Sequence, residues 1–269
     1  MKAFFEEISP LEKFHWQFVL WDRADDTLIL TLNAPERRNA LNPILLNELA
    51  YALSYASGEP SIRFVRLRGR GEVFCSGADL RALIEGIPQS STVPTAKVPI
   101  IIDDLLSAFE KPLIAEVTGD VLAGGMLLLT GATFVIAPKQ SRFSLPEVRR
   151  GLFPFQVLKA LSAYMPPRMA LGWCLLGKTY TAEMLHTWGI ITHLVERNED
   201  VGPAGDALIE ELRLGAPLAI QRGIYAYRHL HKLSHADLNA LLMELAGTED
   251  AREGILAFRE KRKPNWKGQ

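Results

Sequence analysis

The chain has 269 residues, 48% hydrophobic and 23% charged, with a formal net charge of −1. This composition excludes a disordered chain and offers no overall field for nucleic acid. Only Cys75 and Cys174 are present, far apart and without a CxxC pair, which excludes a disulfide framework and a cysteine zinc site and fits a reducing compartment. The opening "MKAFFEEISP" carries acid early and has no apolar core, so the expectation is a cytoplasmic chain with no secretory leader.

In chain order, "DDTLILTLN" (Asp25–Asn33) is apolar and β-branched and predicts a strand. "PERRNALNP" predicts a turn. Asn42 before Pro43 predicts a helix start, with a side-chain cap and then proline at the first helical position. That helix carries Leu45, Leu49 and Leu53 on one face and ends at Gly58, Glu59 and Pro60. "IRFVRLRG" (Ile62–Gly69) predicts a second strand. "GEVFCSGADL" (Gly71–Leu80) predicts a strand end, a glycine turn and a new helix. The proline-broken stretch 82–105 has no clear assignment. "KPLIAEVTG" (Lys111–Gly119) and "TFVIAP" (Thr133–Pro138) predict buried strands around a short helical run from Gly124.

Val121–Ala137 is uncharged for 17 residues, at the lower limit of a membrane span. Its glycines and threonines, with Pro138 directly after, predict a buried loop, helix and strand instead, so no membrane partner is expected. Strand and helix alternate to about Glu196, an α/β pattern. Past "NEDVGPAGD" the chain reads as helix only, with starts at Ser234 (with Asp237) and at Thr248. The expected division is residues 1–200 and residues 201–269. No internal repeat is visible. Of His229, His231 and His235, the i, i+2 spacing does not put His229 and His231 on one helical face, so no metal is expected.

Three segments are candidates for chemistry. Ser76-Gly77-Ala78 and Ala123-Gly124-Gly125 each lie between a strand and a helix. Neither matches a phosphate loop. Either they are tight turns, or their unpartnered N–H groups hold one negative oxygen between them. Glu147, in "SRFSLPEVRRGLFP" (Ser141–Pro154), is either a surface group paired with Arg149 or Arg150, or a carboxylate raised in pKa by apolar walls and fit for acid–base work. The C-terminal "FREKRKPNWKGQ" has five basic residues and one acidic. It is either a solvated tail or an anion-binding edge.

Taken together, these segments resemble the crotonase, or enoyl-CoA hydratase/isomerase, superfamily over nearly the whole chain. "LNAPERRNALN" resembles its N-terminal acyl-CoA segment and "GEVFCSGADL" its first oxyanion-hole motif. "EVTGDVLAGGMLLL" resembles the second such motif, "FSLPEVRRGLFP" the catalytic-glutamate motif and "AFREKRKPNWKG" the C-terminal coenzyme A signature. The resemblance implies a crotonase-like ββα spiral core over residues 1–200. It implies a helical trimerisation region over residues 201–269 that completes the coenzyme A pocket, in a homotrimer or a dimer of trimers.

Residue by residue, the resemblance implies that the backbone N–H groups of Ala78 and Gly124 form the oxyanion hole and stabilise an enolate. Arg37 or Arg38 would meet coenzyme A phosphates, with Asn39, Ala40 and Ser76 along its path. Asp79, Leu80 and Phe258 would lie near the adenine and Lys261 at the phosphates. Leu127 and Phe153 would line the acyl pocket. The implied substrate is a coenzyme A thioester, with no permanently bound cofactor.

Hydratases of the family use two glutamates. Glu147 matches one. The other falls on Leu127, and no carboxylate occurs between Asp120 and Glu147. Asp120 itself stands where the family is commonly apolar, and a turn-stabilising role is expected for it. Ala123 replaces the first glycine of a common triple. A single carboxylate favours moving a double bond from Δ3 to Δ2 over adding water. Hydration, decarboxylation of a branched acyl thioester and non-catalytic acyl-CoA binding are the alternatives.

Overall fold

The computed structural model describes residues 4–269. Two strands, β1 (Val19–Ala24) and β2 (Thr27–Leu32), form an antiparallel hairpin. Only Val19 of β1 is buried, and Asp22 and Arg23 lie on its open edge. A charged edge strand resists further pairing, and its polarity hides it from a reading of apolar pattern. Helix α1 (Pro43–Gly58) begins as expected, with the Asn42 side chain accepting from the Leu45 N–H. Leu45, Leu49 and Leu53 are all buried.

The core then repeats a pair of strands followed by helix. β3 (Phe64–Gly69) and β4 (Val73–Cys75) precede α2 (Leu80–Glu85) and α3 (Ile102–Ser107). β5 (Leu113–Glu116) and β6 (Asp120–Leu122) precede α4 (Met126–Thr130). β7 (Phe134–Pro138) and β8 (Arg142–Ser144) precede α5 (Phe155–Leu161), α6 (Pro167–Leu176), β9 (Thr179–Thr181), α7 (Ala182–Thr187) and β10 (His193–Val195). Within each pair the first strand joins a six-stranded sheet, β1-β2-β3-β5-β7-β10. The second joins a four-stranded sheet, β4-β6-β8-β9. A structural repeat thus exists where no sequence repeat was visible, because it is a repeat of topology and not of residue types.

Strands β2, β3, β5, β7 and β10 run parallel. Parallel strands covered on both faces read as continuous apolar runs, and β5 is buried at every position. The apolar Val121–Ala137 run divides into β6, a 3-10 turn at Ala123–Gly125, α4 and β7. No helix among the described residues is long and apolar enough to cross a membrane.

The chain divides into two compact units. One extends to Phe109 and from Leu113 to Gly205, and the other comprises Glu110–Pro112 and Asp206–Gln269. The division falls inside α8 (Val201–Arg213). "NEDVGPAGD", which holds the boundary expected between residues 200 and 201, forms a 3-10 turn at Asn198–Asp200 and the start of that helix. Pro203 fits because a first-turn residue has no intrahelical acceptor to lose. The second unit continues with α9 (Pro217–His229), α10 (His235–Ala246) and α11 (Glu249–Glu260). Ser234 and Asp237 form a capping box, and Thr248 caps α11 through the Ala251 N–H.

Candidate active site

Topology alone gathers the three candidate segments. β4, β6 and β8 are neighbours and run parallel, with Cys75 opposite Val121 and Leu122 opposite Ser144. The segments 76–78, 123–125 and 145–147 therefore leave the same end of one sheet side by side. In open α/β folds this carboxyl end is where ligands bind.

The two glycine segments touch. A Cβ placed on Gly77 would lie 2.6 Å from the Ala123 Cβ and 2.7 Å from the Gly124 nitrogen. Gly77 also has φ +82°, so it is glycine for both reasons. A Cβ on Gly124 would sit 3.8 Å from the Ala78 nitrogen, which sets the Ala78 and Gly124 backbones against each other. Ala78 forms a parallel bridge with Leu41, in which the Leu41 N–H donates to the Gly77 carbonyl and the Asp79 N–H donates to the Leu41 carbonyl. Such a bridge uses the groups of the two flanking residues. The Ala78 N–H therefore points away from Leu41. In the Ala123–Gly125 turn, which follows Leu122 and closes with the Met126 N–H donating to the Ala123 carbonyl, the leading N–H groups of Ala123 and Gly124 come too early to have an acceptor within the turn. Gly125 allows close packing: a Cβ there would lie 2.7 Å from the Cys75 carbonyl oxygen.

Glu147 lies in a 3-10 turn, Pro146–Arg150, started by the proline. Its Oε2 is buried and has no hydrogen-bond partner among the described residues. Burial pushes its carboxyl above the ordinary glutamate range. Its own backbone N–H and the charge of Arg150 oppose this weakly. Arg149 donates to the Leu176 carbonyl instead of pairing with Glu147. Burial pushes the nearby Cys174 thiol up to about 11, with the Glu147 charge acting in the same direction. Cys75 is pushed up to about 12 by burial. Neither thiol is a nucleophile at neutral pH. Asp120 accepts from the Arg142 N–H at 3.0 Å and so ties β6 to β8.

The remaining positions separate into engaged and open groups. Arg37 is paired with Asp79 at 2.9 Å, and Asp79 also caps α2 through the Ala82 N–H. These contacts hold the Asp79 carboxyl below its usual range, against its desolvation. Arg38 is exposed, and among the described residues its guanidinium has no partner, so Arg38 is the open cation of the two. Asn39 is 0% exposed and its side chain is committed to the protein. Ala40 is buried, Ser76 is partly buried and Leu80 is 38% exposed. Leu127 is buried on α4, and Phe153 is half-buried against Phe155, ring centroids 4.9 Å apart.

Phe258 and Lys261 belong to the second unit. Phe258 is 87% exposed on α11. Lys261 ends that helix in the left-handed conformation, at φ 54°. The basic tail is only partly open. Arg262 pairs with Glu253 and Glu260, and Lys267 pairs with Glu249. Arg259, Lys261 and Lys263 form no ion pair among the described residues, so the charge available to an anion is smaller than the sequence indicates.

A family model described as enoyl-CoA hydratase/isomerase matches residues 23–269. The chain belongs to that family. Enoyl-CoA hydratase EchA19 of Mycobacterium tuberculosis is 31% identical over 263 residues, covering 93% of this chain and 96% of that protein. The 2,3-dehydroadipyl-CoA hydratase of Escherichia coli is 32% identical, covering 92% and 97%. A crystal structure of enoyl-CoA hydratase from Mycobacterium tuberculosis superposes with a TM-score of 0.83 at 31% identity, covering 94% of this chain and 99% of that one. The protein is thus an acyl-CoA enzyme of the enoyl-CoA hydratase/isomerase family with the crotonase-like α/β fold.

Two features of this family member escape a reading of sequence pattern. Glu48 is a lone acid among the apolar positions of α1, yet it is 0% exposed and accepts the backbone N–H groups of Gln17, Phe18 and Val19 at 2.6, 2.8 and 2.8 Å. The signal was an acid flanked by Leu45, Leu49, Tyr51 and Ala52. Arg66 and Arg68 on β3 both pair with buried Glu116 on β5. A Cβ on Gly205 would overlap Glu116 Oε1, so Gly205 lets α8 approach this cluster closely.

Proposed function

We propose that this enzyme shifts the double bond of a 3-enoyl-CoA to the 2-position, with Glu147 as its sole acid–base group. The thioester oxygen sits between the N–H groups of Ala78 and Gly124, and each donor stabilises the developing oxyanion by about 3–4 kcal/mol. Glu147 removes a proton from carbon 2 of the acyl chain and returns it at carbon 4, or the reverse, while the hole holds the dienolate. The observation that carries this reading is the Glu147 carboxylate, with a buried, unpartnered Oε2 and a raised pKa. A base of that kind is matched to proton transfer near neutral pH. Leu127, buried at the position of the second hydratase glutamate, gives an attacking water no second anchor.

Hydration is the second reading, favoured by the hydratase names of the relatives. Incubation in deuterium oxide separates the two. Isomerisation predicts deuterium entering the recovered enoyl thioester at carbons 2 and 4, with Glu147→Gln abolishing it. Hydration without isomerisation predicts a hydroxyacyl product and no exchange at carbon 4.

Within the same proposal, coenzyme A lies along Arg38, Ser76 and Leu80, and the acyl chain meets Leu127 and Phe153. The C-terminal unit serves assembly as a trimer. Tyr227, Leu242, Met243, Ile255 and Phe258 expose 63%, 62%, 63%, 73% and 87% of their surface, apolar area that self-association would cover. Sedimentation of the full chain tests this, with a monomer as the contrary result.

A further inference from the structure

We infer that segment 38–41, locked by Asn39 and by the Arg37–Asp79 ion pair, is the frame that aims the Ala78 N–H, with Asn39 as its positioning residue. This rests on the reading of Ala78 as an oxyanion donor. Asn39 is withdrawn from solvent, so its side chain acts on the protein. It accepts the Ala34 N–H at 2.9 Å. It donates to the Arg70 carbonyl at 2.9 Å and to the Val73 carbonyl at 2.8 Å. One amide thus fastens its own loop to the segment that leads into β4.

The backbone explains why an asparagine stands there. Arg38 and Asn39 are both left-handed, at φ 55° and 51°. Few side chains tolerate that conformation, and asparagine is foremost among them. The double turn places the next groups in register with the first glycine segment. The Ser76 N–H donates to the Arg38 carbonyl at 3.1 Å. The Leu41 N–H donates to the Gly77 carbonyl at 2.7 Å, and the Asp79 N–H to the Leu41 carbonyl at 3.1 Å. Arg37 closes the same junction from its outer side by pairing with the Asp79 carboxylate at 2.9 Å. The backbone groups on either side of the Ala78 N–H are therefore held from segment 38–41, and that N–H is turned away from Leu41. No contact with substrate is needed for Asn39 to set the direction of the donor.

The test reads the donor itself. A conjugated aryl-acrylyl-CoA absorbs at longer wavelength when its carbonyl oxygen is polarised. Its spectrum is recorded bound at saturation, which separates polarisation from affinity. Asn39→Gly keeps the left-handed backbone but removes the side-chain bonds. It is expected to lose much of the red shift and to lower kcat by about 10- to 100-fold with KM little changed. Arg37→Gln is expected to lose less of the same shift. A folded Asn39→Gly with the wild-type shift and kcat overturns the inference. Should that variant fail to fold, an unchanged shift in Arg37→Gln overturns it. Absence of a red shift in saturated wild-type enzyme defeats the oxyanion-hole reading itself, and the frame with it. A shift in wild type that the variants retain defeats only the frame.

Discussion

Gly77 and Gly124 face each other unequally. A methyl group on Gly77 would lie 2.7 Å from the Gly124 nitrogen, whereas one on Gly124 would lie 3.7 Å from the Gly77 Cα, an ordinary contact. Gly77→Ala, which also forces alanine to φ +82°, is expected to destabilise the fold by at least about 2 kcal/mol. Gly124→Ala is expected to fold with a stability change of less than about 1 kcal/mol. It places a methyl group beside the two proposed donors, so kcat/KM is expected to fall by about 100-fold. Thermal unfolding with steady-state kinetics checks the pair. Equal loss of stability in both variants would contradict it.

Glu147→Gln separates catalysis from stability. Loss of the proposed acid–base group is expected to lower kcat by about 10²- to 10⁴-fold. The folded-state pKa of Glu147 is raised. The folded state therefore disfavours the ionised form, and stability falls as pH rises from the unfolded pKa to the folded one. Above that window the charge remains a net cost. At neutral pH the glutamine variant should melt no lower than wild type, and a lower melting temperature would contradict the burial argument.

The same shift sets the pH profile. Glu147 must be ionised to take a proton, so the acidic limb of kcat/KM should fall as pH drops through an apparent pKa above the ordinary glutamate value of about 4.3. A limb at or below that value would show that a different group limits the reaction.

Glu48 is a structural carboxylate. Glu48→Gln leaves one oxygen to accept and turns an NH₂ group toward N–H donors, so the start of β1 is left with unpaired groups. The expected loss is about 2–3 kcal/mol, read as a lower urea midpoint. An unchanged midpoint would contradict the clasp.

The C-terminal tail is held by two acids. Asp250 accepts the N–H groups of Lys267 and Gly268, and Glu253 accepts from Arg262 and from the Asn265 N–H. The Arg262 guanidinium, with the Asn265 N–H, lowers Glu253 to about 2. A depressed pKa contributes stability that is present above the unfolded value and lost as pH falls toward the folded one. Amide exchange at residues 262–269 should therefore rise, relative to its intrinsic rate, as pH drops from about 4.3 toward 2. Protection that is flat across that window would contradict the clasp.

What the sequence made legible was local. The Asn42 cap and the Ser234–Asp237 box depend on residues within a few positions of each other, and the order of motifs carried the resemblance to the family. What it hid was long-range or edge-like. Glu48 meets Gln17 at a separation of 31 residues. β1 has charges because it is an edge, and Asn39, expected along the coenzyme A path, is instead buried within the protein. Arg37 and Arg38 were indistinguishable until the Asp79 pair engaged one of them.

The central claim is that one carboxylate, Glu147, moves a double bond. The most direct test is to incubate the enzyme separately with a 3-enoyl-CoA and a 2-enoyl-CoA and to follow the products by mass. The account predicts conversion of the 3-enoyl thioester to its 2-enoyl isomer without change of mass, and loss of that conversion in Glu147→Gln. Gain of the mass of water from the 2-enoyl thioester, with the 3-enoyl thioester left untouched, would contradict it.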